Sequence, residues 1–458
     1  MQKRIYLKLI SIIVATVMLM VPLLMVQEMI SERQGYRYQA IQDIATKRIG
    51  QQVVAGPFLK VPWRYNYQTK QWNKEKTEYQ LITKTRKGSL LVTPEKLSAD
   101  SNVSNQSLSR GIYQIPIYLS DIGLSGHFTN QALLNHADWI KREHNTTVHY
   151  GAPEMTLLTS DPRGIKRLSS LSWNNQRFEF APGGQINRQY QGVKTQLKPL
   201  SGQLRDYQFN LKMELRGMEQ LQLVPTGRQS EISMTSDWPH PSFNGRQLPD
   251  TREVTETGFS AHWSTSPYDT DIAQVLSRCQ QEQYCELNNY AVGAEFIQPV
   301  DQYLQAERSS KYGLLFIALT FMAFFLFEVL KKLAIHPIQY GMVGLSLTVF
   351  YLLLVSLSEH LGFVTAYISA TAATALLLAT YLSAILRSKL RGISFATAIS
   401  LLYGVLYMII SSEDFALLMG TSLIFAALAA IMLLTRKIDW YQLTPGTKNA
   451  PAKSESEA

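Results

Sequence analysis

Residues 9–26 read LISIIVATVMLMVPLLMV. As a helix, that run is long enough to cross a hydrocarbon core of about 30 Å. Five more apolar stretches crowd the last third of the chain, at about 313–330, 338–357, 361–385, 393–411 and 415–435. The segment between, from 31 to 310, is polar and strand-patterned. The expected fold is a membrane α-helical bundle of six transmembrane helices. A large mainly-β, sandwich-like domain is inserted after the first helix. Mean hydropathy of −0.06 averages the two halves and conceals the spans.

Lys3, Arg4 and Lys8 precede the first span, and no small-x-small cleavage site follows it in Gln27–Glu32. An uncleaved signal anchor is therefore expected rather than a removed signal peptide. Orientation follows from Lys and Arg in short loops. With the N-terminus in the cytoplasm, the inner segments hold Lys3, Arg4, Lys8, Lys331, Lys332, Arg387, Lys389, Arg391, Arg436, Lys437, Lys448 and Lys453. The short outer loops hold Glu359, His360, Glu413 and Asp414, with no Lys or Arg. Both termini are expected in the cytoplasm and the large domain in the periplasm. The net charge of +9 is then mostly topogenic, suited to lipid headgroups rather than nucleic acid.

Four segments are expected: a signal-anchor helix over 1–30, a periplasmic domain over 31–310, a five-helix bundle over 311–438 and a cytoplasmic tail over 439–458. The tail lacks apolar residues to bury after Pro445, so it is expected to be disordered. The chain has 2 cysteines, Cys279 and Cys285, both in the outer domain. An oxidising compartment favours a disulfide between them, two free thiols being the alternative. No His lies near enough in sequence to make a metal site attractive.

Tyr207–Arg216 is the clearest strand. Phe209, Leu211, Met213 and Leu215 alternate with Asn210, Lys212, Glu214 and Arg216. Gly217-Met218-Glu219 turns the chain into Leu221–Val224. An earlier unit has a similar form, with a turn expected at Asp121-Ile122-Gly123. Further short strands are expected at Leu90–Thr93, Thr147–Tyr150, Met155–Leu158, Phe178–Phe180 and Glu231–Thr235, with turns at Gly183-Gly184 and Pro225-Thr226-Gly227. Helices are expected at Gln131–Lys141 and Asp271–Arg278, and the first span is expected to run on through Glu32–Gln52.

Ionisable groups, which transporters place inside their spans, are missing from the span centres. Glu328 lies at the inner boundary, within reach of headgroups or of Lys332 at i,i+4. Ala366, Ala370 and Thr374 make a small-residue stripe suited to helix packing. Tyr340, Tyr351, Tyr367, Tyr381, Trp440 and Tyr441 include candidate interface anchors. No broken helix of the transporter kind is expected.

The densest run of unusual residues is Ser236 to Gly245. Two prolines flank His240, and Trp238 and Phe243 stand close by. This is a candidate recognition loop (Trp238, His240, Phe243) or a packed connection closing the β-layers. No nucleophile elbow, zinc motif or phosphate loop is present, so no catalytic, cofactor or metal residue is assigned. Arg228 and Glu231 are expected to form a surface pair.

The chain resembles the CreD family of inner-membrane proteins. The resemblance rests on Gly56-Pro57-Phe58-Leu59, Arg110-Gly111-Ile112-Tyr113, Asp161-Pro162-Arg163-Gly164-Ile165 and Ser236 through Phe243. In the membrane half it rests on Lys311-Tyr312-Gly313, Phe324 through Glu328, His336-Pro337, Ser358-Glu359-His360, Gly420-Thr421-Ser422 and Asp439-Trp440-Tyr441. It covers almost the whole chain, and the two cysteines are not part of it. It implies a role in cell-envelope integrity and stress response, with no known reaction. The leading expectation is a non-enzymatic inner-membrane protein that binds an envelope component or partner. A transporter or flippase of a lipidic precursor is the alternative, and a periplasmic hydrolase using His240 the weaker one. Expected partners are membrane lipids and a periplasmic or membrane partner, without cofactor.

Overall fold

The computed structural model describes residues 2–47, 49–72, 79–111, 113–186, 190–269, 271–281, 286–297, 302–331, 335–412 and 415–436. The chain forms two compact units: 1–38 with 300–458, and 39–299. The first helix, α1 (Gln2–Lys47), runs through Pro22 without a break and contributes to both.

The second unit continues as β1 (Gln52–Trp72), β2 (Tyr79–Val92), β3 (Lys96–Arg110), β4 (Tyr113–Thr129), α2 (Gln131–His144), β5 (His149–Tyr150), β6 (Glu154–Thr159), β7 (Ile165–Leu168), β8 (Leu171–Trp173) and β9 (Gln176–Phe178). There follow β10 (Ala181–Gln185), β11 (Gln191–Gln196), β12 (Asp206–Met218), β13 (Gln220–Val224), β14 (Gln229–Ser236), β15 (Pro241–Gly245), β16 (Thr251–Thr255), β17 (Gly258–Thr265), α3 (Ile272–Gln281) and β18 (Val292–Phe296). One sheet has the order β10-β11-β6-β1-β13-β18-β15, with β2 and β5 also on β1. The other has the order β16-β17-β14-β3-β4-β12-β8-β9, with β7 on β12. The β1–β13 and β3–β14 pairs are parallel, so both sheets are mixed.

The sheets share one core. Leu59, Val61, Met155, Leu157, Leu221 and Phe296 from the first meet Leu124, Phe128, Phe209, Leu211, Met213 and Trp263 from the second. Each such side chain removed from water contributes about 1.5–3 kcal/mol before entropy is counted. The first sheet is covered on its far face as well: Val53, Phe58, Leu158 and Val224 pack with Ile272, Val275, Leu276 and Cys279 of α3. That explains why β1 begins with eight buried residues in succession instead of an alternation. The second sheet alternates strictly along β12, so its outer face stays polar.

The chain changes sheets repeatedly by short steps, two of which join β12 to β13 and β14 to β15. Glu219 takes a left-handed φ of +62° between β12 and β13, and residues 237–240 carry β14 into β15. The expected turn at Asp121-Ile122-Gly123 is not one. β4 runs straight through it, paired with β12 from Ile117 to Thr129. Asp121 and Gly123 occupy outward positions of an unbroken alternation, where turn-forming residues are tolerated. Gly183-Gly184 likewise lies inside β10, at a bulge against β11.

The first unit adds α4 (Gln302–Lys311), α5 (Gly313–Lys331), α6 (Pro337–Leu361), α7 (Phe363–Ile385), α8 (Lys389–Ser411) and α9 (Ala416–Thr435). Among the described residues four helices, α1, α6, α7 and α8, are long and apolar enough to cross a membrane. A fifth follows if α4 and α5 are one span, and α9 carries a shorter apolar stretch, Leu417–Leu433. The expected six spans are thus not all met by length and composition. The α4–α5 pair bends by 44°, against the expectation of unbroken helices. Gly313, just past the bend, sits so close to its surroundings that a Cβ there would lie 2.8 Å from Leu23 and 3.2 Å from Tyr351.

Polar contacts mark the two ends of the unit. At one, Glu328 is buried; it pairs with Lys8 and accepts hydrogen bonds from Tyr340 Oη at 2.7 Å and the Ile335 amide at 3.2 Å. At the other, Glu359 accepts from Tyr303 at 3.0 Å and lies 3.6 Å from Arg33, and Gln34 donates to Glu307. The start of α1 therefore shares an end with the α5–α6 connection, as alternating spans require. Glu328 reaches Lys8; Lys332, the expected i,i+4 partner, lies outside the described residues. His336 caps α6, its Nδ1 accepting from the Ile338 amide, with Pro337 in the first turn. Ala366, Ala370 and Thr374 are buried on α7 as a packing stripe. Tyr340, Tyr351 and Tyr367 are buried in the unit instead of anchoring it at an interface. Trp440, Tyr441 and the tail lie outside the described residues.

Candidate functional site

The outer face of the second sheet forms a groove of about 950 Å³. Its walls follow from strand register, since residues directly opposite one another share a face. One row across the sheet is His262–Ser233–Asp100–Gly123–Lys212, on β17, β14, β3, β4 and β12. The next is Ser260–Thr235–Asn102–Asp121–Glu214–Arg167, ending on β7. A third carries Ser98, Ser125 and Asn210. The groove thus presents carboxylates, amides, hydroxyls and two cations, without an aromatic side chain among its lining residues.

Gly123 sits at its centre. A Cβ there would meet only the Asp100 carbonyl, at 3.9 Å, so the missing side chain makes the hollow. At one wall Glu214 binds Lys166 at 2.9 Å and faces Arg167 at 3.6 Å. The Lys166 hydrogen bond, aided by the charges of Lys166, Arg167 and Arg216, holds the Glu214 carboxyl below its usual range. A depressed carboxyl stabilises the fold above its ordinary pKa, and that stability is lost as pH falls through the depressed value. Glu214→Gln should therefore lower the thermal midpoint at neutral pH. The gap from the parent should close under acid conditions; a gap independent of pH would mean that the charge plays no part.

Next to the groove, on the neighbouring strand β17, His262 lies between Ser233, whose Oγ is 3.2 Å from Nδ1, and Glu231, whose Oε2 is 2.9 Å from Nε2. The backbone amides of these strands are spent in the ladder, so no oxyanion pocket faces Ser233. Glu231 therefore pairs with His262, and Arg228 pairs with Glu95 at 3.4 Å. The expected Arg228–Glu231 pair does not form, because Arg228 precedes β14 and turns to Glu95, whereas Glu231 lies on the strand beside His262.

Residues 4–441 match the family model described as inner membrane protein CreD. The chain is 35% identical over 436 residues to inner membrane protein CreD of Escherichia coli (strain K12), covering 95% of this chain and 93% of that protein. The chain belongs to the CreD family of inner membrane proteins. Membership agrees with the apolar helices and bears out the resemblance carried by the motifs above. It names no reaction and no ligand.

Many of the family-like motifs prove to be joints of the fold. In Asp161-Pro162-Arg163-Gly164, Asp161 accepts from the Arg163 amide and its guanidinium, which also donates to the Thr46 carbonyl on α1. The Ser236–Phe243 run is the sheet-to-sheet crossover. Trp238 Nε1 donates to the Ile297 carbonyl at 2.8 Å, and Asp237 accepts from the Asn105 amide. Phe243 sits edge-on to Phe259 and Trp263 at 5.4 and 6.0 Å. Trp238 and Phe243 are thus turned onto the core, and His240 is exposed. No carboxylate bonds to His240 among the described residues. Cys279 is buried on α3 and is disulfide-bonded; Cys285 lies outside the described residues.

No groove residue was read as a site in sequence: Asn210, Lys212 and Glu214 appeared as the outward set of one strand, and Asp121 and Gly123 in an expected turn. The signal available was a polar outer series in several strands at once, and it becomes a site only when register aligns the strands.

Proposed function

We propose that this chain supports cell-envelope integrity as a non-enzymatic receptor, binding an envelope component in the groove on the second sheet. The groove of about 950 Å³, lined by hydroxyl, amide and mixed-charge groups on a rigid sheet, is the observation that carries the reading. Its chemistry suits a ligand rich in hydroxyl and amide groups. The one-sided distribution of Lys and Arg supports a periplasmic domain with both termini in the cytoplasm and six spans in all.

Gly123→Trp fills the groove without displacing backbone. It should abolish the envelope-stress phenotype rescued by the parent, at unchanged protein level and thermal midpoint. Asp100→Ala with Lys212→Ala should weaken it in the same direction. Full rescue by Gly123→Trp at normal abundance would sink the groove as the binding site.

A second reading, movement of a lipidic precursor, draws support from the membrane unit. The α4–α5 bend resembles the broken helices of transporters, and Ser309 Oγ and Tyr351 Oη are buried without hydrogen-bond partners among the described residues. Faster lipid exchange between leaflets in proteoliposomes, slowed by Tyr351→Phe, would favour it over a passive anchor. Exchange at the protein-free rate would dismiss it.

A further inference from the structure

We propose that the uncovered face of the β1–β2 ribbon docks on an anionic lipid surface. The two strands pair from Leu59 opposite Val92 to Trp72 opposite Tyr79. Beyond β6 and β5, which reach β1 only as far as Arg64, the described part of the ribbon has two strands. Its two faces differ. On one, Trp63, Tyr65 and Tyr67 lie against α2: Trp63 is 5.3 Å from His136, and Tyr65 and Tyr67 are 5.1 and 6.3 Å from His144. The other face carries Arg64 opposite Lys87, Lys70 opposite Leu81 and Trp72 opposite Tyr79.

Three observations point to the same occupant. First, like charges set directly opposite one another repel, yet Arg64 faces Lys87, and both are exposed. Second, neither strand contains an acidic residue, and no described carboxylate pairs with Arg64, Lys70 or Lys87. Third, the far end of this face is apolar and open. Trp72, Tyr79 and Leu81 are 49%, 60% and 66% exposed, and the two rings lie 4.2 Å apart.

Lysines alone would be explained as guards of an edge strand, since β2 pairs only with β1. Guarding does not account for an exposed Trp–Tyr–Leu cluster on the same face, which invites the association that guards prevent. Indole and phenol rings beside Lys and Arg are the chemistry of the lipid interface: rings enter the headgroup layer, and cations meet phosphates. From Trp72 to Arg64 is about 26 Å at 3.3 Å per residue, so the face lies flat on the surface with both groups engaged.

The test uses the full chain in nanodiscs of neutral phosphatidylcholine, with a fluorescent amino acid in place of Tyr79. Anionic lipid, as phosphatidylglycerol, is offered either in the nanodisc itself or in added vesicles. In at least one arrangement the fluorophore should shift to the blue and be quenched by a lipid-borne quencher. The response should fall about tenfold in Arg64→Glu/Lys87→Glu and weaken with salt. Both substitutions are at exposed positions, and an unchanged melting curve will verify that the domain is intact. Silence toward anionic lipid in both arrangements overturns the proposal. So does a response to soluble polyglutamate with none to vesicles, which would make the occupant an anionic polymer.

Discussion

Lys8→Met should destabilise the membrane unit more than any other single change on that side of the molecule. Glu328 is 6% exposed, and Lys8 is its cationic partner among the described residues. Removing the ammonium leaves a buried carboxylate with two hydrogen-bond donors and no countercharge. Stranding one partner of a buried pair costs about 3–5 kcal/mol. The expected readout is a lower melting temperature in detergent and less protein in the membrane. Glu328→Gln added to Lys8→Met should recover much of the loss, because no charge is then stranded. Losses that simply add would mean that the two residues are uncoupled. Recovery would also establish that the pair is a registry device: it fixes the start of α1 against the end of α5 and the start of α6, three segments that helix packing alone could let slide.

That pair shows where sequence reading stops. Apolar runs displayed α5 to α9 within a few residues of their ends, and period two displayed β12 because one of its faces meets the core and the other water. Lys8 and Glu328 are 320 positions apart, and no local pattern links them. Asp121 and Gly123 resembled a turn because outward strand positions accept the same residue types as turns do. β1 escaped as a strand because its first half is buried on both faces and its second half is a polar ribbon, so neither half alternates in the expected way. The basic excess of the chain was credited to membrane topology; Arg64, Lys87 and Lys70 gather on one face only through pairing. The groove has the same origin. Its residues come from strands between β3 and β17, and their common feature is register, which sequence distance hides. The Trp238–Phe243 segment stood out for its composition, and it is the crossover where two sheets must be joined within four residues.

The second large effect is expected at Trp263. Its indole is 1% exposed on the inner face of β17, edge-on to Phe243, within the core that both sheets share. Trp263→Ala should cost about 3–5 kcal/mol, since the sheets cannot close over the space left by an indole. The indole Nε1 has no hydrogen-bond partner among the described residues, so part of the native ring works against its own burial. Trp263→Phe removes that nitrogen and keeps most of the apolar contact, so its cost should be far smaller, about 1–2 kcal/mol. Pulse proteolysis in urea measures both on the full chain without relying on tryptophan emission. A cost below about 1 kcal/mol for the alanine variant would mean that the sheets do not depend on one common core. The outward neighbour His262 ties the outcome to function, because β17 presents Trp263 to the core and His262 to the groove row. If the groove is the binding surface, Trp263→Ala should lose binding in step with stability, whereas His262→Ala should alter binding and leave the unfolding midpoint nearly unmoved.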